Sequence, residues 1–150
     1  MGLFFEEFEE GKEYVTRART ITEADVVAFA GVSGDFNPLH TDAELMKASE
    51  FGERIAHGML VSSIGTGLSS QMGWFEGTTV ALLEVTFRFK GPVKFGDTVR
   101  LVITVKEKKP TRKPDRGVLI VEANILNQRD ETVIEGQWTT MMRRRPSSTG

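Results

Sequence analysis

The segment Ser33–His40, with the sequence SGDFNPLH, holds the densest group of polar side chains in the chain. A carboxylate at Asp35 and an imidazole at His40 are side-chain types that serve as general acids and bases. The glycine, asparagine and proline around them favour turns, so both side chains can point into one pocket. The same residues also fit a helix–loop–helix in which Asp35 is a cap and His40 lies at the surface.

A second candidate group begins at His57-Gly58, just before a segment predicted to be helical. The first turn of a helix has free backbone N–H groups and a partial positive charge. Glycine allows a ligand to approach that backbone closely. The Gly58 N–H is therefore a candidate oxyanion donor. The alternative is that Gly58 only permits tight packing.

The composition excludes several classes of function. The chain has no cysteine, which excludes disulfides, thiolate metal sites and a cysteine nucleophile. Its two histidines cannot form a three-histidine zinc site, and we expect no metal. A net charge of −2 and a pI near 5.8 argue against general nucleic-acid binding.

The length and the terminal sequences indicate the domain organisation. A chain of 150 residues has room for one domain, which we place at residues 1–145, followed by a flexible C-terminal tail at 146–150. The run Arg143–Arg145 is interpreted as solvated charge rather than a phosphate site. The N-terminus is acidic where a signal peptide needs bases, and no stretch is long and apolar enough to span a membrane. We therefore expect a cytoplasmic protein without membrane contact.

The elements that must position these residues are a central helix and a sheet. Residues 57–72 contain no charged side chain, which predicts a helix buried on all sides. Shorter helices are predicted at 21–29 and from Thr41. Apolar runs and alternation predict strands, which we expect to form an antiparallel meander wrapped around the helix in an α+β fold; they cover 79–89, 99–105, 118–126 and 132–142.

The two motifs together resemble a known family. Residues 35–40 read Asp-Phe-Asn-Pro-Leu-His and residues 57–60 read His-Gly-Met-Leu. They are similar to the Asp-x-Asn-Pro-x-His motif and the His-Gly-Met/Leu helix start of MaoC-like acyl dehydratases and R-specific enoyl-CoA hydratases. Residues 87–93 and the Gly96-Asp97 turn also fit the family pattern. The resemblance implies the hot-dog fold and a homodimer or higher homo-oligomer with its active site near the subunit interface.

The resemblance also implies a reaction. Water would add reversibly to a trans-2-enoyl thioester, of CoA or of acyl-carrier protein, to give a (3R)-3-hydroxyacyl thioester. Asp35 would be the main acid and base, His40 would position and polarise the water, and the Gly58 N–H would stabilise the oxyanion. No cofactor is implied beyond the CoA of the substrate.

Further residues are predicted to contact the substrate: Asn37, His57, Met59, Ser62, Thr66 and Ser69. Each has a structural alternative. Asn37 can support or cap the loop, and His57 can satisfy a hydrogen bond at the helix start. Gly58, Ser62, Thr66 and Ser69 recur at helical spacing and share one face, which can instead pack against a partner's helix. We expect the Thr66 hydroxyl to reach toward Asp35 or the acyl chain.

A basic, proline-bearing segment at 106–117 is predicted to be a loop. One hypothesis is that it contacts the CoA phosphates; the alternative is a solvated loop. Its basic residues are Lys106, Lys108, Lys109, Arg112, Lys113 and Arg116. Two other functions compete with hydration: a hot-dog acyl-CoA thioesterase and a non-catalytic subunit that binds acyl thioesters.

Overall fold

The computed structural model describes residues 1–148, so the last two residues of the expected tail, 149 and 150, lie outside the described residues. A 3₁₀ turn at Phe5–Glu7 precedes the first strand. The helices are α1 (Glu23–Ser33), α2 (Pro38–Thr41), α3 (Ala43–Lys47) and α4 (Gly58–Gln71). The strands are β1 (Glu13–Val15), β2 (Arg19–Thr20), β3 (Thr79–Phe89), β4 (Thr98–Pro110), β5 (Arg116–Leu126) and β6 (Thr132–Arg143).

The strands form an antiparallel sheet in the order β1-β4-β5-β6-β3, and the short β2 also pairs with β4. The run β4-β5-β6 is the expected meander. The expectation that β3 neighbours β4 is wrong, because β3 pairs with β6 at the far edge. The connection 90–97 can cross three strand spacings of about 4.8 Å each, which is well within the reach of its eight residues.

Helix α4 packs against one face of this sheet, as the sequence predicted. Its buried residues Leu60, Val61, Ile64 and Leu68 belong to one hydrophobic cluster with the inward residues of β4, β5 and β6. A Cβ at Gly65 would lie 2.7 Å from the Ile125 side chain, so glycine is what lets the helix approach the sheet this closely.

The expectation that α4 is buried on all sides is wrong for the single chain. Met59 is 53% exposed. Ser63, Thr66 and Ser70 follow it at helical spacing, and they are exposed too. The absence of charge on this stripe therefore does not come from burial within one chain.

The predicted loop at 106–117 is largely strand. Pairing of β4 with β5 continues out to Pro110 and Gly117, which leaves a turn only at 111–115. A register shift between Val105 and Glu107 interrupts the alternation of side chains, and this irregularity hid the strand in the sequence. The Lys108 ammonium donates to the Phe8 carbonyl at 2.7 Å, so this lysine anchors the N-terminal segment.

Two of the three C-terminal arginines are paired rather than simply solvated. Arg144 contacts Glu6 at 2.7 Å and Arg145 contacts Glu7 at 2.6 Å, which joins the two ends of the described chain. None of the helices within residues 1–148 has the length and hydrophobicity needed to cross a membrane.

Candidate functional site

Asp35 lies directly after the C-terminal end of α1, which positions it. Helix α1 begins after Thr22, whose side chain forms a capping box with Asp25. It runs to Ser33, beyond the predicted end at residue 29, and stops at Gly34, which has a φ of 76°. This left-handed conformation suits glycine and turns the chain so that Asp35 follows directly.

Local hydrogen bonds fix the conformation of the motif loop. Asp35 Oδ1 accepts the N–H of Asn37 at 3.1 Å, and Asn37 Oδ1 accepts the N–H of Leu39 at 3.0 Å. Asn37 therefore caps α2, and Pro38 follows in the first turn. The expected loop thus contains a single helical turn, which carries His40. The Asn37 side-chain oxygen serves as the cap, which is the structural alternative to substrate contact.

His40 is buried, and its hydrogen bond defines which nitrogen is free. Its Nδ1 lies 2.7 Å from the Ile55 carbonyl oxygen. A carbonyl only accepts, so we place the proton on Nδ1, which leaves Nε2 able to accept one. A carboxylate oxygen of Asp35 and a ring nitrogen of His40 lie within 4.8 Å of each other. Two hydrogen bonds of about 2.8 Å span up to about 5.6 Å, so one water can bridge atoms that are up to 4.8 Å apart.

A ring nitrogen of His57 also lies within 4.8 Å of these atoms, but the geometry does not suit a metal ion. The rings of His40 and His57 stack with centroids 3.8 Å apart and planes 27° apart. Lone pairs lie in the ring planes, so those of stacked rings do not converge on one ion. His57 Nε2 and His40 Nδ1 are moreover each committed to a backbone carbonyl.

The N-terminus of α4 opens onto a cavity of about 430 Å³, which His40 and Gly58 both line. No side chain within residues 1–148 caps this terminus, so the N–H groups of the first turn have no side-chain partner there. A Cβ at Gly58 would lie 2.5 Å from the ring of Phe89, so Gly58 also permits tight packing. Most of the remaining lining is apolar and includes Phe51, Ile55, Met59, Val61, Val93 and Ile134.

The predicted substrate residues on α4 divide between two places. Met59 lines the first cavity. Ser62 is buried and its hydroxyl donates to the Gly58 carbonyl at 3.0 Å. Thr66 and Ser69 instead line a second cavity of about 400 Å³ near the C-terminal end of α4.

Thr66 does not reach toward Asp35 as expected. Its hydroxyl donates to the Ser63 carbonyl at 2.6 Å. This bond within the helix turns the hydroxyl back onto the α4 backbone, and Thr66 sits on the exposed stripe of the helix. The acyl chain remains the expected contact for Thr66.

His57 does not face the first cavity. It is 2% exposed, and its Nε2 donates to the Asp35 carbonyl at 2.9 Å. Its side chain does not cap α4, so the structural hydrogen bond that the alternative assigned to His57 goes to the Asp35 backbone instead. The ring contacts the Asp35 carbonyl and the His40 ring, and it is not among the residues that line the first cavity.

The basic residues predicted to contact CoA lie away from this cavity. The turn with Arg112 and Lys113 follows Pro110, at the end of the sheet where β3 begins. Gly58 lies against Phe89, where β3 ends. Arg116 is paired with Asp115 and Lys109 with Glu107, so two of the six basic residues form ion pairs within the segment. Within one chain, this geometry favours the solvated alternative.

Sequence reasoning missed other residues that shape the site. Phe89 lines the first cavity and fills the space beside Gly58, and Lys90 follows it at the same cavity. The sequence held one signal for these two residues, namely that the predicted strand ends at residue 89. The Ile55 carbonyl, which orients His40, had no signal because a backbone atom leaves none in a side-chain pattern.

Comparison with known proteins places this geometry in a family. The model of the MaoC like domain matches residues 6–124. A protein named (R)-specific enoyl-CoA hydratase from Rhodospirillum rubrum is 33% identical over 93% of this chain and 91% of its own length. The unliganded structure of an R-hydratase from Pseudomonas aeruginosa is 32% identical, with a TM-score of 0.77, covering 99% of this chain and 97% of the other.

A more distant structure identifies the fold. A protein from Mycobacterium tuberculosis described as a double hotdog fold aligns with a TM-score of 0.87 at 20% identity. The alignment covers 99% of this chain and 46% of that one, so this chain corresponds to about one hot-dog unit. An α+β hot-dog domain that carries both motifs and matches the family model over most of its length belongs to the MaoC-like family.

Proposed function

We propose that this protein catalyses the reversible hydration of trans-2-enoyl thioesters to (3R)-3-hydroxyacyl thioesters. One observation carries the proposal: Asp35 and His40 lie within water-bridging distance beside the uncapped start of α4. Acid–base groups and an anion-stabilising backbone are the two requirements of this reaction. The names of the relatives support the same class of chemistry.

The geometry supports the following mechanism. Water bound between Asp35 and His40 attacks C3 of the enoyl group, with the free His40 Nε2 positioning and polarising it. Asp35, as the main acid and base, takes the water proton and returns a proton to C2. Positioned proton transfer of this kind contributes on the order of 10²–10⁴-fold in rate.

Negative charge develops on the thioester oxygen as water attacks. The Gly58 N–H at the positive end of α4 would donate to that oxygen. A preorganised donor of this kind contributes roughly 3 kcal/mol to transition-state stabilisation. The apolar lining of the cavity excludes water and strengthens this interaction.

We propose a CoA thioester as the substrate, because two relatives that match at least 90% of this chain at 31–33% identity are named for enoyl-CoA or 3-hydroxybutyryl-CoA, although other relatives are named for acyl-carrier-protein substrates. An acyl-carrier-protein thioester offers the same reacting group and is the alternative. The mechanism needs no cofactor beyond the CoA of the substrate. Location in the cytoplasm stays a prediction.

We further propose a homodimer that pairs along β3. Within the described residues β3 pairs on one side only, with β6. The unpaired backbone groups of an edge strand can pair with a strand of another chain. Exposed apolar side chains that lie together also mark an interaction surface. The exposed stripe of α4 is the other uncharged surface that a second copy can cover. The exposed apolar residues are Met59, Leu82, Leu83, Val85 and Phe89.

The dimer is tested by Leu83→Lys, which places a charge on this surface. Thr86→Lys is the matched control, because Thr86 lies on the same strand in a polar groove with Arg88 and Glu135. Light scattering should give the mass of two chains for the wild type and the control, and of one chain for Leu83→Lys. A one-chain wild type would contradict the dimer.

The function is tested with purified protein and crotonyl-CoA. Loss of the ultraviolet absorbance of the enoyl thioester, without release of free thiol, is the result expected for hydration. Release of free thiol would identify a thioesterase. Binding of the thioester with neither change, also for longer and carrier-protein-linked substrates, would identify a non-catalytic binding subunit.

A further inference from the structure

His57 occupies a buried position between three parts of the site. Its ring stacks on the His40 ring with centroids 3.8 Å apart, and the Phe29 ring meets it edge-on at 4.8 Å. Its Nε2 lies 2.9 Å from the Asp35 carbonyl oxygen. His57 is also the residue directly before Gly58. One residue is therefore in contact with His40 and Asp35 and adjacent in sequence to Gly58.

The hydrogen bond fixes the tautomer of this ring. The Asp35 carbonyl can only accept, so the proton is on Nε2. His57 Nδ1 is buried and has no hydrogen-bond partner among the described residues. A buried polar atom without a partner destabilises the folded state, so a phenyl ring would serve packing alone better than this imidazole. The Nε2–H donor is what distinguishes histidine from such a ring.

The other hydrogen bonds of Asp35 are local. Asp35 N–H donates to Ser33, and its carboxylate accepts from the Asn37 N–H, so these bonds hold the loop to itself. The His57 bond instead spans 22 positions and ties the Asp35 backbone to the start of α4. It therefore sets the position of the carboxylate relative to both the His40 ring and the Gly58 N–H.

We propose that His57 is a positioning residue that holds the acid–base pair and the oxyanion donor in register. It acts through the hydrogen bond from Nε2–H to the Asp35 carbonyl, supported by its stack on His40. It touches no substrate, and the inference rests on the proposed hydration. A displacement of about 1 Å in such a site lowers turnover on the order of 10²-fold.

Two polar variants separate this role from packing. In His57→Gln the amide N–H reaches the place of Nε2–H, whereas in the shorter His57→Asn it falls short of the Asp35 carbonyl. With crotonyl-CoA, His57→Asn should lower kcat on the order of 10²-fold, and His57→Gln should retain kcat within about tenfold of the wild type. The KM of both should stay within about threefold, because His57 does not line the cavity.

A third variant, His57→Phe, keeps the aromatic stack and removes the donor. Thermal unfolding provides the structural readout, and His57→Phe should be at least as stable as His57→Gln. If the role of His57 is purely structural, kcat follows the thermal stability of the variants, and His57→Phe retains at least as much activity as His57→Gln. Positioning through the donor reverses that order.

Each outcome decides the proposal. Equal kcat in the folded Gln and Asn variants, or a folded Phe variant as active as the wild type, would overturn the role of His57. If the Phe variant does not fold, the Gln and Asn pair still decides. Failure of the proposed function is distinct, because the wild type would then show no hydration at all.

Discussion

The two ends of α4 open onto cavities of similar size but different chemistry. At the N-terminal end, Gly58 opens onto about 430 Å³ of mostly apolar lining together with His40. At the C-terminal end, Thr66 and Ser69 face about 400 Å³ that holds further hydroxyls from Ser70, Thr79 and Thr140. No side chain among residues 1–148 caps the N–H groups of the first end. At both ends a serine hydroxyl donates to a helix carbonyl, Ser62 to Gly58 and Ser69 to Thr66.

The difference follows from the polarity of a helix. The N-terminus carries a partial positive charge and free N–H groups, so it stabilises an anion that develops during reaction. The C-terminus is partially negative, and Glu76 also lines the second cavity. A negatively charged group is disfavoured there. The proposed chemistry therefore suits the first end, and the second end is suited to neutral or positively charged groups.

The largest expected effect is that of Asp35→Asn. Asparagine keeps an acceptor for the Asn37 N–H but cannot transfer the proton, so kcat for crotonyl-CoA should fall on the order of 10²–10⁴-fold. Asp42→Asn makes the same change of charge at the cap of α3 and should leave kcat unchanged. Steady-state rates of both variants check this. A retained kcat in Asp35→Asn would remove Asp35 from the mechanism.

Gly58→Ala should have the next largest effect. The new methyl would lie 2.5 Å from the Phe89 ring, which must then move within the cavity. Misplacement of this size should lower kcat/KM about 10- to 100-fold. Gly67→Ala is the control on the same helix and should leave the kinetics unchanged, because a Cβ added there meets no other part of the described chain within 4 Å. Equal kinetics in both variants would separate Gly58 from the site.

A smaller effect is expected at the second end of α4. Thr66→Val keeps the shape of the side chain and removes its hydroxyl. Thr66 does not contact the acid–base pair, so kcat for crotonyl-CoA should change at most about tenfold. That factor corresponds to the net free energy of one hydrogen bond. Kinetics with a longer enoyl-CoA test its expected contact with the acyl chain. If Thr66→Val lowered kcat for crotonyl-CoA as much as Asp35→Asn does, the two ends of α4 would not differ in their role in the reaction.

The smallest effect is expected from reversing the charges of Arg112 and Lys113 to glutamate. Both lie at the far end of the sheet from Gly58 of the same chain, so KM for crotonyl-CoA should stay within about twofold. A several-fold rise in KM with unchanged kcat would restore the hypothesis of a CoA contact. Such a CoA contact would require the turn with Arg112 and Lys113 of a partner subunit to reach the site.

The elements that the sequence predicted well are those whose pattern is long. The strand at 79–89 has the predicted bounds, and the helix predicted at 57–72 begins and ends within one residue of α4. The short β1 and β2 were missed, because two or three residues carry too little periodicity. The position of β3 beside β6 was also out of reach, since neighbours in a sheet depend on the path of a loop.

The candidate site was predictable only where side chains carry it. The family resemblance, carried by the Asp-x-Asn-Pro-x-His motif and the His-Gly helix start, predicted one site for Asp35, His40 and Gly58. The structure places Asp35 within 4.8 Å of His40, and His40 lines one cavity with Gly58. The backbone carbonyls of Ile55 and Asp35, which orient the two histidines, leave no signal in the sequence. The orientation of the Thr66 hydroxyl was missed because helical spacing places a residue on a face without fixing its rotamer.

The most direct test of the account follows the oxygen atom of water. Crotonyl-CoA is incubated with the enzyme in H₂¹⁸O, and the products are analysed by mass spectrometry, with Asp35→Asn as the control. The account predicts ¹⁸O on C3 of an intact (3R)-3-hydroxybutyryl thioester, formed at a rate that depends on Asp35. Label in a released carboxylic acid, or C3 labelling that persists unchanged in Asp35→Asn, would contradict it.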